Sequence, residues 1–198
     1  VLYEFGFGLS YTDFTIEILE AGTKECGKKV QITVQVKNTG NFKGKEVVQI
    51  YVEAPQGALG KPVRELKAFT KTKELEPGEV QQLTLDIPVS SLASYDDSGV
   101  TGHRSCYVLE AGNYIFHVGN SVRHTQVADV GQKGGLRVEE LQVTETLQEA
   151  LAPEQPFWRI HPVKSGEGKN YEIKKEDVPQ KTVDLKERIR ENLPKQLE

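Results

Sequence analysis

The 198-residue sequence contains no methionine, one tryptophan and two cysteines. It holds no run of 18 apolar residues, so a helical membrane span is excluded. It has no basic excess: 25 Lys and Arg stand against 29 Asp and Glu, for a net charge of -4. A protein that neutralises nucleic-acid phosphates carries the opposite balance, so no nucleic-acid partner is expected. Cys26 and Cys106 are too few for a disulfide scaffold or a four-ligand zinc site. One bridge between them is open, but a core of the size implied by 37% hydrophobic residues does not need it. No basic-then-apolar leader opens the chain, which starts at Val1. The expectation is a fragment of a longer polypeptide, with a lean toward a cytoplasmic setting.

What the sequence does have is period-2 alternation across residues 14–120. In Lys29 to Lys37, Val30, Ile32, Val34 and Val36 share one face while Lys29, Gln31, Thr33, Gln35 and Lys37 share the other. Leu83, Leu85 and Ile87 alternate with Thr84 and Asp86, and Tyr114, Phe116 and Val118 with Ile115 and His117. Such strands bury one face and wet the other, as in an antiparallel sheet or sandwich. In the nearly all-apolar run from Val47 to Val52, Val48, Ile50 and Val52 are expected to face the core, with Val47 and Tyr51 against another surface. Turn residues divide the runs: Asn38-Thr39-Gly40-Asn41, Pro55 to Gly60, Pro77-Gly78 and Ala111-Gly112-Asn113. Ser90-Ser91-Leu92-Ala93 reads as a single helical turn between strands. About seven strands without a long helical period predict an all-β, immunoglobulin-like antiparallel sandwich. The Cys-Trp-Cys signature of antibody domains is missing, since Trp158 lies far outside.

Beyond Asn120 the pattern changes. Leu136 to Val143 is expected to add one strand, and Thr146 to Glu149 has the spacing of a capping box that would start a short helix. Residues 153–181 carry Pro, Gly, Lys and Glu with little periodicity and read as a linker or extended wrap. Leu185, Ile189, Leu193 and Leu197 form a stripe at spacing four on a second short helix, interrupted by Pro194. The mixed charges after Lys164 read as a solvated surface. Three parts are therefore expected: a lead-in segment at 1–13, the sandwich at 14–121, and a connector with short helices at 122–198.

Phe5-Gly6-Phe7-Gly8-Leu9-Ser10-Tyr11 alternates glycine with large apolar groups. The glycines are not a dinucleotide fingerprint, because no strand precedes them, no helix follows and the third glycine is absent. Two roles suit the segment: packing on its own sandwich, or docking on a neighbouring domain. Further on stand Asn38-Thr39-Gly40, Gly44, Glu46 to Val52, Pro62, Arg64 to Phe69, Leu75 to Glu79, Leu92 to Asp96, Gly112-Asn113-Tyr114 and Val118 to Ser121. In this order the blocks resemble the fibronectin type III-like domain of glycoside hydrolase family 3 enzymes, which include β-glucosidases and β-xylosidases. Glu4, where the family often has proline, and Ala68, where glycine is common, depart from the pattern.

The resemblance implies an accessory module. It also implies that the family's retaining hydrolysis of terminal non-reducing β-linked sugars, by two carboxylates, takes place in other domains. Neither catalytic motif occurs here, so no catalytic, cofactor-binding or metal-ligating residue is expected and no cofactor is implied. The segment from Val143 to Pro156 is similar to the connector of members in which the barrel follows this module. The parent is therefore expected to continue into that barrel. The expected partners are the catalytic domains of the same parent chain, with an oligosaccharide as a further one and no membrane. Phe5, Phe7, Leu9, Tyr11 and Trp158 are the candidate interdomain docking residues, and Gln56 to Lys61 is the candidate substrate-entrance loop. Two other roles compete: a stand-alone carbohydrate-binding module, for which Tyr51, Tyr107, Phe157 and Trp158 are stacking candidates, and an adhesion or scaffold domain that binds protein. Asp96-Asp97 and Glu139-Glu140 read as solvated surface, and His103, His117, His124 and His161 as surface or hydrogen-bonded histidines.

Overall fold

The computed structural model describes residues 2–131, 134–147, 158–164 and 171–177. The described residues form thirteen strands and one 3-10 turn. The strands are β1 (Phe14–Lys24), β2 (Lys29–Asn38), β3 (Val47–Glu53), β4 (Glu65–Lys71), β5 (Val80–Pro88), β6 (Ser94–Asp96), β7 (Cys106–Leu109), β8 (Gly112–Gly119), β9 (Thr125–Ala128), β10 (Leu136–Val138), β11 (Gln142–Thr146), β12 (Trp158–Lys164) and β13 (Tyr171–Asp177). The 3-10 turn, Val89–Leu92, is the single helical turn expected there, and the Ser91 hydroxyl holds it by donating to the Pro88 carbonyl at 2.7 Å.

The chain divides into two compact units. The first, Val1–Pro55, Val63–Leu92 and Gly112–Glu139, is the sandwich. One of its sheets has the order β1-β2-β5; the other runs β10-β8-β3-β4, with β9 also on β8. All these pairings are antiparallel. The alternation of β2 shows directly in its burial: Val30, Ile32, Val34 and Val36 are fully buried while Lys37 is exposed. Leu85 and Ile87 on β5, Val48, Ile50 and Val52 on β3, and Tyr114, Phe116 and Val118 on β8 complete the core. Each of these large side chains contributes about 1.5–3 kcal/mol by leaving water.

Asn38 locks one end of the sandwich. Its amide oxygen accepts from the Thr12 hydroxyl at 2.8 Å and the Gly40 amide at 3.1 Å. Its amide nitrogen donates to the carbonyls of Phe42 at 2.8 Å and Leu75 at 2.9 Å. This fully buried side chain thus fixes the Asn38-Thr39-Gly40 turn and ties it to the Pro77-Gly78 turn, whose Gly78 amide donates to the Asn38 carbonyl.

The second unit comprises Gln56–Pro62, Ala93–Ala111 and Glu140–Glu198. Among its described residues is a sheet of order β11-β7-β6 over a small core of Leu59, Cys106 and Val108, flanked by Val100 and Leu141. Cys106 is a buried free thiol, and Cys26, in the sandwich, is an exposed one. Asp96 departs from the sequence expectation: it is fully buried, while Asp97 is exposed. Its carboxylate organises the loop behind it, accepting from the amides of Ser98, Gly99, Val100 and Thr101 and from the hydroxyls of Ser98 and Thr101.

The region after Gly131 differs from expectation in three ways. Leu136 to Val143 is split between the short strands β10 and β11 rather than forming one. Thr146, the expected helix cap, ends β11, and the Leu147 amide donates to the Ser105 carbonyl; Gln148 and Glu149 lie outside the described residues. The expected linker contains the β12–β13 pair, in full register from Trp158 opposite Asp177 to Lys164 opposite Tyr171. Trp158, Ile160 and Pro162 alternate with Arg159 and His161, and Tyr171 and Ile173 with Glu172 and Lys174, a short period of two set in a stretch rich in Gly, Lys and Glu. The stripe of Leu185, Ile189, Leu193 and Leu197 lies outside the described residues.

Candidate functional site

The lead-in segment carries the most exposed apolar groups of the sandwich unit, although Phe42, Phe69 and Val127 are exposed elsewhere on it. Leu9 is 93% and Tyr11 95% exposed, and Leu2, Tyr3, Phe5 and Phe7 are also exposed. Phe5 meets Tyr51 and Phe7 meets Tyr3, whereas Leu9 and Tyr11 turn outward, although the segment's backbone is tied down at its start. Val122 donates its amide to the Phe5 carbonyl at 3.0 Å, and Phe7 donates to the Glu4 carbonyl at 3.1 Å. Gly6 is required at the crossing point. Its φ is +82°, and a Cβ there would stand 2.6 Å from Gln49 Oε1.

Glu4 is the polar anchor, and the sequence pattern did not reveal it beyond its departure from the family. Its largely buried carboxylate accepts the Ser121 hydroxyl, lies 3.3 Å from Arg123 Nε and 3.9 Å from His124 Nδ1. Below it, β3 presents a polar column on the sheet face opposite the core. The Tyr51 hydroxyl donates to Gln49 Oε1, and Gln49 Nε2 donates to the Asn120 carbonyl at 2.6 Å. Asn120 Nδ2 in turn donates to Glu46 Oε2 at 3.2 Å. Tyr51 is 2% exposed, so it lies against another surface as its alternation implied. That surface includes Phe5, whose ring meets it edge-on at 6.4 Å. Burial pushes the Tyr51 hydroxyl's pKa up, and the negative charge of Glu4 adds to the shift. Its β8 neighbour His117 is buried too, with Nε2 3.4 Å from Glu53 Oε2 and no hydrogen bond at that nitrogen.

Between the segment and this face lies a groove of about 460 Å³. Residues 6–10 form one wall; Lys45, Gln49, Lys71, Asn120 and His124 line the remainder.

The other predicted residues lie in the second unit. Gln56 and Lys61 close the ends of their loop on each other: the Gln56 amide donates to the Lys61 carbonyl at 3.2 Å and accepts from the Lys61 amide at 3.2 Å. The Lys61 side chain is buried and paired with Glu110, whose carboxylate also accepts from the Ala58 amide at 2.6 Å. Gly57 is needed at this close approach, because a Cβ there would overlap Glu110. The loop is thus moulded around Glu110, leaving Gln56, Gly57 and Ala58 exposed. Trp158 is 56% exposed, with the Lys175 ammonium 4.1 Å from its ring centroid. Tyr107 pairs with Tyr95 across β7 and β6, ring centroids 5.3 Å apart and both partly exposed. Phe157 lies outside the described residues.

The fibronectin type III-like domain family matches residues 46–122. The chain is 44% identical over 184 residues to a β-glucosidase of Ruminococcus albus, a match that covers 93% of this chain and 18% of that protein. Among solved structures, a β-glucosidase from Paenibacillus barengoltzii is similar with a TM-score of 0.87 and 52% identity, over 98% of this chain and 21% of that one. β-Glucosidase 3B from Thermotoga neapolitana, in complex with α-D-glucose, is similar with a TM-score of 0.60 and 38% identity, over 72% of this chain and 18% of that one. The chain therefore spans about a fifth of the length of the proteins it matches.

Proposed function

Because the chain carries the fibronectin type III-like domain of a family 3 glycoside hydrolase, we propose that it is a non-catalytic module that packs on the catalytic domains of its parent and holds them in register. The observation that carries this reading is the lead-in segment: past the backbone contacts of Glu4, Phe5 and Phe7, Leu9 and Tyr11 are over nine-tenths exposed, and Phe5 and Phe7 are only partly covered, where a free-standing domain would turn them in. Several large apolar side chains exposed along one short segment favour an interaction site. Trp158 is proposed to dock in the same way, and the exposed tip of the Gln56–Lys61 loop to stand beside the substrate entrance. The parent's reaction is proposed to be retaining hydrolysis of terminal β-linked glucosyl or related residues, supplied by domains beyond this one.

The experiment substitutes Leu9 and Tyr11 by serine in the full-length parent. Both side chains are over nine-tenths exposed in this unit, so its own core should not respond. A packing role predicts a lower unfolding temperature for the parent and β-glucosidase activity lost at lower temperature. Unchanged melting and activity profiles would refute it. The sugar-binding alternative has its own readout, saturable heat on titration with cello- or xylo-oligosaccharides.

A further inference from the structure

The groove beside the lead-in segment has features that apolar packing alone does not use. The backbone N–H and C=O groups of Gly6, Gly8, Leu9 and Ser10 bond no other group among the described residues. Residues 8–10 follow the turn at Phe5–Gly6 and belong to no assigned strand or turn, and a stretch with its ladder groups free can take up an added strand. Across the groove stand Lys45 and Lys71. Elsewhere in this unit Lys24, Lys29, Lys43, Lys67 and Lys73 each hold a carboxylate within 4.0 Å, whereas among the described residues Lys28 and Lys37 hold none. Lys45 and Lys71 also hold none among the described residues, both line the groove from exposed positions, and Lys71 lies directly opposite Val47 on the β3–β4 ladder. The one carboxylate in the lining, Glu46, is engaged by Asn120 and by the Val47 amide. The groove thus offers two unmatched ammonium groups, free main-chain groups and apolar side chains at its lip.

Resting on the packing role proposed above, we propose that the occupant is an extended acidic segment of the parent polypeptide from outside these 198 residues. It adds to residues 8–10 as a strand and sets a carboxylate against Lys45 and Lys71. Charge complementarity selects an acidic segment, and the unpaired main chain selects an extended peptide over a sugar.

Carbodiimide cross-linking of the full-length parent tests this, since the reagent joins a lysine amine to an adjacent carboxylate as an amide with loss of water. The Lys43–Glu74 pair, 3.0 Å apart, is the internal control. The expected product joins Lys45 or Lys71 to an Asp or Glu outside residues 1–198. In the same protein, hydrogen exchange at the amides of residues 8–11 should be slow, and at least tenfold faster after Lys45→Glu with Lys71→Glu. Slow exchange that the double variant leaves unchanged, with only the control cross-link formed, would overturn the acidic partner while leaving the packing role standing. Fast exchange in the unaltered protein would overturn both. Cross-links only to a second copy of the chain would also overturn it.

Discussion

The Glu4 carboxylate accepts the hydroxyl of Ser121, a residue 117 positions further along the chain. This contact joins the start of the lead-in segment to the end of β8, where the sandwich turns toward β9. It explains how a glycine-rich peptide with outward-facing aromatics keeps a defined course.

Replacing Glu4 by alanine removes the acceptor for Ser121 and the partner of Arg123 together. Hydrogen exchange at Phe7 and Val122, whose amides hold the segment, should accelerate, while that of Ile32 and Val34 stays slow. The global cost is expected to be about 1–2 kcal/mol, since hydrogen bonds to charged groups are worth about 1.5–3 kcal/mol. Unaltered exchange at Val122 would show that the backbone contacts suffice.

Asn38→Ala deserts four hydrogen-bond partners at once, two of them main-chain carbonyls. A loss of about 3 kcal/mol in denaturant unfolding is expected, because each buried unsatisfied group costs about 1–3 kcal/mol. Asn41→Ala, at an exposed position in the same turn region, should change stability by less than about 0.5 kcal/mol.

Asp96 makes stability depend on pH. Burial alone would raise its pKa, but the hydrogen bonds from Thr101, Gly99 and Ser98 outweigh burial and hold the carboxyl below its ordinary value. A depressed folded-state value means that the stabilisation is fully present above the unfolded value of about 3.9 and is lost as pH falls through the folded one. The stability gap between the natural protein and Asp96→Asn should therefore be constant from neutral pH to about pH 5 and shrink below about pH 4. Urea unfolding at pH 7, 5, 4 and 3 measures it.

Lys61→Met leaves the buried Glu110 carboxylate without its ammonium partner. Removing one member of a buried pair costs about 3–5 kcal/mol, whereas Lys43→Met, at an exposed pair, should cost under about 1 kcal/mol. Combining Lys61→Met with Glu110→Gln should recover part of the loss. Proteolysis within the Gln56–Lys61 loop gives a second readout, since the loop folds around Glu110.

The strands of the sandwich were legible because burial on one face imposes a period of two, and Val30, Ile32, Val34 and Val36 carry that period without a break. The turns were legible because Asn38-Thr39-Gly40 and Pro77-Gly78 have the backbone freedom such turns require. Short-range pattern was insufficient where hydrogen bonds or distant cover decide the outcome. The β12–β13 pair carries only a short alternation, Trp158, Ile160 and Pro162 on one strand and Tyr171 and Ile173 on the other, too brief to stand out from the surrounding Gly, Lys and Glu. Asp96 looked like solvated surface beside Asp97, yet six donors from the loop that follows make its burial favourable. Lys61 looked like a loop residue, yet Glu110, 49 positions away, draws its side chain inside.

In the lead-in segment the sequence showed an alternation of glycine and aromatics that left both inward packing and outward docking open. The choice required a long-range contact. With Glu4 fixed to Ser121 and Gly6 pressed against Gln49, the segment runs along the sheet with Leu9 and Tyr11 facing solvent. Local sequence determined which residues alternate and where the chain turns, because those depend on neighbours one to four positions apart. Which faces are covered and which side chains are drawn inside depended in large part on contacts such as Lys61–Glu110 and Glu4–Ser121, 49 and 117 positions apart, and those exist only once the chain has folded.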